Sequence, residues 1–243
     1  MEFRSRKWEK SEGKGRGMNE NEPKLDAPQR IVVGVTGASG AIYATRLLRR
    51  LNRNDRVEVH LILSRAGEKT LFLETGQRSG DLKSLAHYTW PVEDIAAPLA
   101  SGSFKTCGMV IAPCSIQTMS AISCGISSNL MIRAADVMLK ERRRLILMVR
   151  ETPLHLGHLR TMTALTEMGA IIAPPVPGFY NNPTTVEELV DSSVDRVLDL
   201  LGVPDASIRR WAGPSVAGSA AAAERAIRNS QASPRTAPEK VKK

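Results

Sequence analysis

Four short clusters in this 243-residue chain bring glycine, hydroxyl and charged side chains together at spacings suited to a phosphorylated ligand. The first follows the apolar run Ile31 to Val35, where Gly34, Gly37 and Gly40 punctuate a turn carrying Ala38 and Ser39. Glycines there let the backbone bend and approach a ligand closely, and a serine beside the open amides of a helix start can bind an anion. The pattern is G-x-x-G-x-x-G. It is neither the dinucleotide fingerprint G-x-G-x-x-G nor a Walker loop, which closes on Gly-Lys-Ser/Thr. The second cluster, Leu63-Ser64-Arg65, ends another apolar run where a dinucleotide fold carries an Asp or Glu for the adenosine ribose, which argues against NAD. The third is Pro113-Cys-Ser-Ile-Gln-Thr118, with Ser115 and Thr118 flanking Ile116 and Gln117. Hydroxyls at a helix start serve as caps or as phosphate contacts. The fourth, Val149-Arg150-Glu151-Thr-Pro153, offers a cation and a carboxylate that could equally form a structural ion pair.

Contacts from four separated places meet only if the chain folds back between them. Strands are expected at Ile31 to Val35, Val57 to Leu63, Met109 to Ala112, Leu145 to Val149 and Ala170 to Ala173, all short, continuous and apolar like central parallel strands. Helices are expected at Ala41 to Leu51, with Ala44, Leu47, Leu48 and Leu51 on one face, and at His158 to Met168. A last helix begins at Pro183-Thr-Thr185, with Glu188 completing a capping box, and runs to Leu201 before Gly202. The alternation predicts an α/β fold, a three-layer doubly wound parallel sheet. In such sheets ligands lie beyond the carboxyl ends of the strands, so the four clusters should share one crevice.

Composition narrows the class. With 42% hydrophobic and 24% charged residues the chain suits one ordinary domain with a real core. No apolar run approaches the length of a membrane span and the N-terminus is charged, so a soluble, cytoplasmic protein is expected. Cys107, Cys114 and Cys124 fit no zinc spacing and read as reduced thiols. The net charge of +9 is concentrated in the tails, which leave only +3 for residues 31–211, and aromatics make up 4%; a nucleic-acid surface is not expected. Residues 1–29 are polar and aperiodic and read as a disordered extension, residues 30–211 as the folded domain, and residues 212–243 as a flexible basic tail with a short helix at Ala220 to Arg228. The sequence does not decide whether Met18 is the natural start.

Longer motifs carry a resemblance. They are Val35-Thr-Gly-Ala-Ser-Gly-Ala41, Ser101-Gly-Ser-Phe-Lys-Thr106, Gly108-Met-Val-Ile-Ala-Pro-Cys-Ser115, the segment from Asn129 to Arg142, Val149-Arg-Glu-Thr-Pro-Leu154 followed by His155-Leu-Gly-His158, and Pro174-Pro-Val-Pro-Gly-Phe-Tyr180. Over nearly all of residues 30–211 the chain resembles the flavin prenyltransferase family of the UbiX type. The resemblance implies a Rossmann-like, flavodoxin-like flavoprotein, a homododecamer that attaches a dimethylallyl group to reduced FMN. FMN would be held by Gly37, Ala38 and Ser39, by Ser64, by Ser115, Ile116, Gln117 and Thr118, and by Arg150. Dimethylallyl phosphate would be bound by Tyr180 and Arg196, with Arg133 and Lys140 completing a cationic pocket across a subunit interface, and Trp211 and Trp90 offering π faces. Cations suit a phosphate that must leave with its charge stabilised.

The reaction implied is attack of flavin N5 on the allylic carbon with loss of phosphate, then ring closure onto C6. Ser39 would assist the proton at N5, Glu151 would move a proton to or from the phosphate, and Glu74 and Lys140 would join the same acid–base network. No aspartate pair exists to hold magnesium on a diphosphate, and His155 and His158 have no third ligand near them, so no metal is expected. The product would serve a UbiD-type aromatic-acid decarboxylase. Gln117 and Arg65 depart from the commoner family pattern. Read alone, Arg196 and the run Lys140 to Arg144 are solvated charges, and Cys114 is a small buried residue. Two further readings stay open: a flavin-dependent decarboxylase of cysteinyl substrates on the same fold, and an FMN-binding accessory subunit without chemistry of its own.

Overall fold

The computed structural model describes residues 28–179, 181–205, 207 and 208. Tyr180, Trp211, Met18 and the expected helix Ala220 to Arg228 lie outside the described residues. Strand β1 spans Gln29–Val35, so Gln29, assigned above to the N-terminal extension, already pairs with Val57 in the sheet. There follow α1 (Ala41–Asn52), β2 (Val57–Leu63), α2 (Arg65–Thr75), α3 (Ser79–Lys83) and β3 (Tyr88–Trp90). A 3-10 turn at Pro98–Ala100 leads to β4 (Gly108–Cys114), α4 (Ile116–Ser123), α5 (Leu130–Lys140), β5 (Arg144–Val149), α6 (Leu156–Glu167), β6 (Ile171–Ile172) and α7 (Val186–Leu201).

All pairings are parallel and the order is β3-β2-β1-β4-β5-β6. This is the doubly wound Rossmann order; without the short edge strand β3 it reads as the flavodoxin order. The reversal of winding falls between β1 and β4, which places the crevice at their carboxyl ends. Alternate residues of β1 supply the two cores, because successive side chains in a strand point to opposite faces. Ile31, Val33 and Val35 pack with Leu47, Leu48 and Leu51 of α1 and with Val194 and Leu198 of α7. Val32, with Met109 and Ile111 of β4, packs on Met131, Ala134 and Met138 of α5.

Five of the six strands fall where the apolar runs lie. The sixth, β3, was missed because its three residues, Tyr88 to Trp90, are mostly exposed and too few for a pattern. Gly34 lies inside β1 against Ile111 and Met131 and takes no part in the turn. The last helix starts at Val186 with Thr185 as its cap, as expected, but the Glu188 carboxylate reaches Thr184, accepting from its amide at 2.6 Å and its hydroxyl at 3.0 Å.

Candidate functional site

The carboxyl ends of β1, β2, β4 and β5 are joined by hydrogen bonds that continue beyond the regular ladders. The Ser64 amide donates to Val35 O at 3.0 Å, and the Arg150 amide to Cys114 O at 3.1 Å. Between the β1 and β4 turns, the buried Thr36 hydroxyl donates to Pro113 O at 2.7 Å and accepts from the Ser115 amide at 3.0 Å. The first three expected clusters and Arg150 of the fourth therefore frame one crevice.

Helix α2 closes one side of it. Although α2 begins at the carboxyl end of β2, it lies along the β1 turn: Gly67 and Ala66 press on it, the Thr70 hydroxyl donates to Gly37 O at 3.0 Å, and Glu74 reaches the start of α1. There the Glu74 Oε2 accepts from the amides of Gly40 and Ala41, both at 2.9 Å. The backbone at Gly40 is left-handed, φ +103°, which a side chain would strain. This corrects one expectation: the α1 start does not offer open amides to an outside phosphate, because two of them already hold the protein's own carboxylate.

That carboxylate also accepts from the Ser39 hydroxyl and faces the Arg150 charge. Partial burial works against ionisation of Glu74, but the Ser39 hydroxyl, the Ala41 and Gly40 amides and Arg150 outweigh it and hold the carboxyl below its usual range. At neutral pH the group is an ionised acceptor with a serine hydroxyl between it and the crevice. Ser39 is thus the hydroxyl neighbour with which Glu74 could exchange a proton.

The donor set on the other side suits a phosphate monoester. Ser64 caps α2 by accepting from the Gly67 amide at 3.0 Å, which leaves its own proton to donate. Ser115 caps α4 through the Thr118 amide at 3.2 Å, while the amides of Ile116 and Gln117 belong to the helix's open first turn. With Arg150 exposed at the end of β5, hydroxyls, amides and a cation converge where an anion would be stabilised at two helix starts. Gly37, Ala38 and Ser39 could take the uncharged ring of a flavin, since Glu74 would repel a phosphate there, and Ser64, Ser115, Gln117 and Thr118 could take its phosphate.

Comparison with known proteins identifies the family. The Flavoprotein family model matches residues 19–198. The flavin prenyltransferase UbiX of Thauera aromatica is 51% identical over 184 residues, covering 76% of this chain and 94% of that protein. The chain belongs to the UbiX-type flavin prenyltransferase family. A crystal structure of AnUbiX (PadA1) in complex with FMN and dimethylallyl pyrophosphate superposes with a TM-score of 0.75 at 46% identity, covering 77% of this chain and all of that one. A dodecameric FMN-dependent UbiX-like decarboxylase from Escherichia coli O157:H7 gives 0.74 at 44% identity, covering 76% and 100%.

The remaining residues expected from the UbiX-type resemblance do not gather in this crevice. Arg133 is half-buried in α5, bonded to Ala100 O at 3.2 Å and to Asp136 at 2.6 Å. Lys140 ends α5, paired with Glu141 at 2.6 Å and four residues before β5 starts, so it sits at the amino edge of the sheet, opposite the crevice. Arg196 is exposed on α7. Glu151 is exposed next to Arg150, its carboxylate accepting from the Thr152 amide at 3.0 Å. Trp90 spends its indole N–H on His60 Nδ1 at 3.1 Å while lining a cavity of about 300 Å³ with Leu63 and Arg65. Cys114 is fully buried and its thiol is pushed up to about 12 by that burial, which suits a packing residue rather than a nucleophile. The rings of His155 and His158 lie 3.6 Å apart, and among the described residues no group of three possible metal ligands exists.

Sequence reasoning missed two hydroxyls. Thr36 appeared only inside a longer motif and Thr70 in none, yet both tie the β1 turn in place. The stripe of Gly67, Thr70 and Glu74 at helical spacing, on a segment with little apolar periodicity, is the signal that could have marked α2 as a crevice wall.

Proposed function

We propose that this chain transfers a dimethylallyl group from dimethylallyl phosphate to N5 and C6 of reduced FMN without a metal, and that the prenylated flavin serves a UbiD-type aromatic-acid decarboxylase. The carrying observation is the Ser39–Glu74–Arg150 group at the β1 and β4 crevice, a serine proton path beside an ionised carboxylate where a flavin ring fits. Membership of the family supports the same reading, and no helix among the described residues is long and apolar enough to cross a membrane. A cytoplasmic enzyme built from residues 29–211 is the setting proposed.

Reduced flavin supplies the nucleophile. Ser39 holds the proton that must leave the ring edge and passes it toward Glu74, which the Ser39 hydroxyl, the Ala41 and Gly40 amides and, least of these, Arg150 favour in its ionised form. Glu151, exposed at the rim, exchanges a proton with the departing phosphate. Tyr180, Arg133, Lys140, Arg196 and Trp211 form the prenyl-phosphate pocket. Since Lys140 lies at the opposite edge of its own sheet and Arg196 on an outer helix face, that pocket is completed by another copy in a homo-oligomer, taken as a dodecamer.

The test is anaerobic incubation of the protein with FMN, a reductant and dimethylallyl phosphate, with no metal added, followed by mass spectrometry of the released flavin. A gain of one C5H8 unit is expected. Tightly bound but unmodified FMN would overturn the transferase reading and favour a carrier or a decarboxylase of cysteinyl substrates.

A further inference from the structure

We infer that Thr36 is a positioning residue that sets the gap between the two flavin-holding turns. The inference rests on the FMN reading above. Register between β1 and β4 is regular only from Ile31 with Gly108 to Gly34 with Ile111, so the ladder ends before either turn begins. Beyond that point the strands feed connections to opposite faces of the sheet, and their ends have no reason to stay together. Thr36, 3% exposed, bridges them. Its hydroxyl donates to Pro113 O at 2.7 Å and accepts from the Ser115 amide at 3.0 Å and the Ala38 amide at 3.4 Å. One oxygen thus uses its proton and both lone pairs, one bond reaching into the Gly37 to Ser39 turn and two into the strand end that leads to Ser115. Its own amide adds a longer contact to Pro113 O at 3.4 Å.

The arrangement couples ring contacts to phosphate contacts. If Ser39 and Ser115 shifted independently, FMN would meet one set or the other; with Thr36 in place it meets both. Valine keeps the branched shape but leaves the Ser115 amide, the Ala38 amide and most of the demand at Pro113 O without their partner.

Thr36→Val and Thr36→Ser are the variants to make, with KM measured for each substrate. Thr36→Val is expected to raise KM for FMN about tenfold or more, by the cost of an unsatisfied buried donor, while KM for dimethylallyl phosphate stays within about twofold. Thr36→Ser, which keeps the hydroxyl, should return KM for FMN to within about threefold of the parent. Unchanged KM values with only a lower maximal rate would mean fewer folded molecules and would overturn the inference, as would a Thr36→Ser enzyme as impaired as Thr36→Val. A second measurement needs no variant. In the unliganded parent, amide exchange at Ser115 should be slower than at the neighbouring Gln117, and equal, unprotected exchange would overturn the inference even if Thr36→Val fails to fold. A parent protein that binds FMN without modifying it removes the transferase reading alone, because FMN affinity and Ser115 exchange still report on Thr36.

Discussion

The side chain with most consequence for chemistry is Glu74, because it satisfies a helix start and accepts from the crevice serine at once. Removing it as Glu74→Ala should cost about 1 kcal/mol, the usual worth of a lost helix cap with its charge. Its carboxyl sits below the usual range in the folded chain, so this stabilisation is complete above the unfolded value and fades as pH falls through the depressed folded value. Urea curves of parent and variant should therefore differ at pH 7 and draw together as pH falls below the ordinary carboxylate range, through the depressed folded value. Glu151→Ala, by contrast, should keep FMN affinity and lose turnover by about a hundredfold, as loss of a proton-transfer group does, read by single-turnover mass spectrometry. A second titrating residue lies away from the crevice. His60 is 2% exposed, accepts from the Trp90 indole at Nδ1 and therefore donates from Nε2 to Glu58 at 2.9 Å. Burial, only partly offset by Glu58, lowers its pKa, so the unfolded chain takes up the proton first and stability falls as pH drops below about 6.5. A His60→Gln variant, able to keep both bonds, should show a flatter stability curve between pH 7 and 5 in denaturant titrations.

Among elements, α2 shows how far the sequence could be read. The central strands were legible because a strand buried on both faces must be apolar throughout, and the α7 boundaries because its Thr185 and Gly202 caps are local. Helix α2 was not, since it is held by one glycine, one threonine and one glutamate rather than by an apolar stripe, and only Gly67 and Leu71 of it are buried. The same reason hid Glu74's cap: its partners are 33 and 34 residues away in sequence. The serines at 39, 64 and 115 were legible because each follows a strand, whereas the Arg133, Lys140 and Arg196 set came only from resemblance. The tight seat of α2 is testable. A methyl group at Gly67 would lie 2.8 Å from Val35 O and 3.1 Å from Thr36 O, both backbone atoms that cannot yield cheaply. Gly67→Ala should destabilise the fold by about 1–3 kcal/mol, the range for overpacking, and weaken FMN binding along with it, checked by urea midpoints and flavin fluorescence.

At the scale of the molecule, the surface around α6 looks unfinished for a lone chain. Leu156, Leu159 and Met168 are 59%, 47% and 39% exposed, and Val176 and Phe179, in the segment after β6, are 75% and 68% exposed. Apolar area of this kind marks an interaction surface, and the homo-oligomer proposed above would cover it with another copy. Leu159→Asp should shift the protein to smaller species by native mass spectrometry, with FMN still bound and prenyl transfer lost. The distance between the crevice and Lys140 on one chain carries a genetic consequence. If each copy keeps its own serine and lends its lysine to a neighbour, Ser39→Ala and Lys140→Ala chains are defective in different halves of the same site. Expressed together, the two alleles should complement, with a fraction of sites in the mixed particles receiving one intact half from each parent.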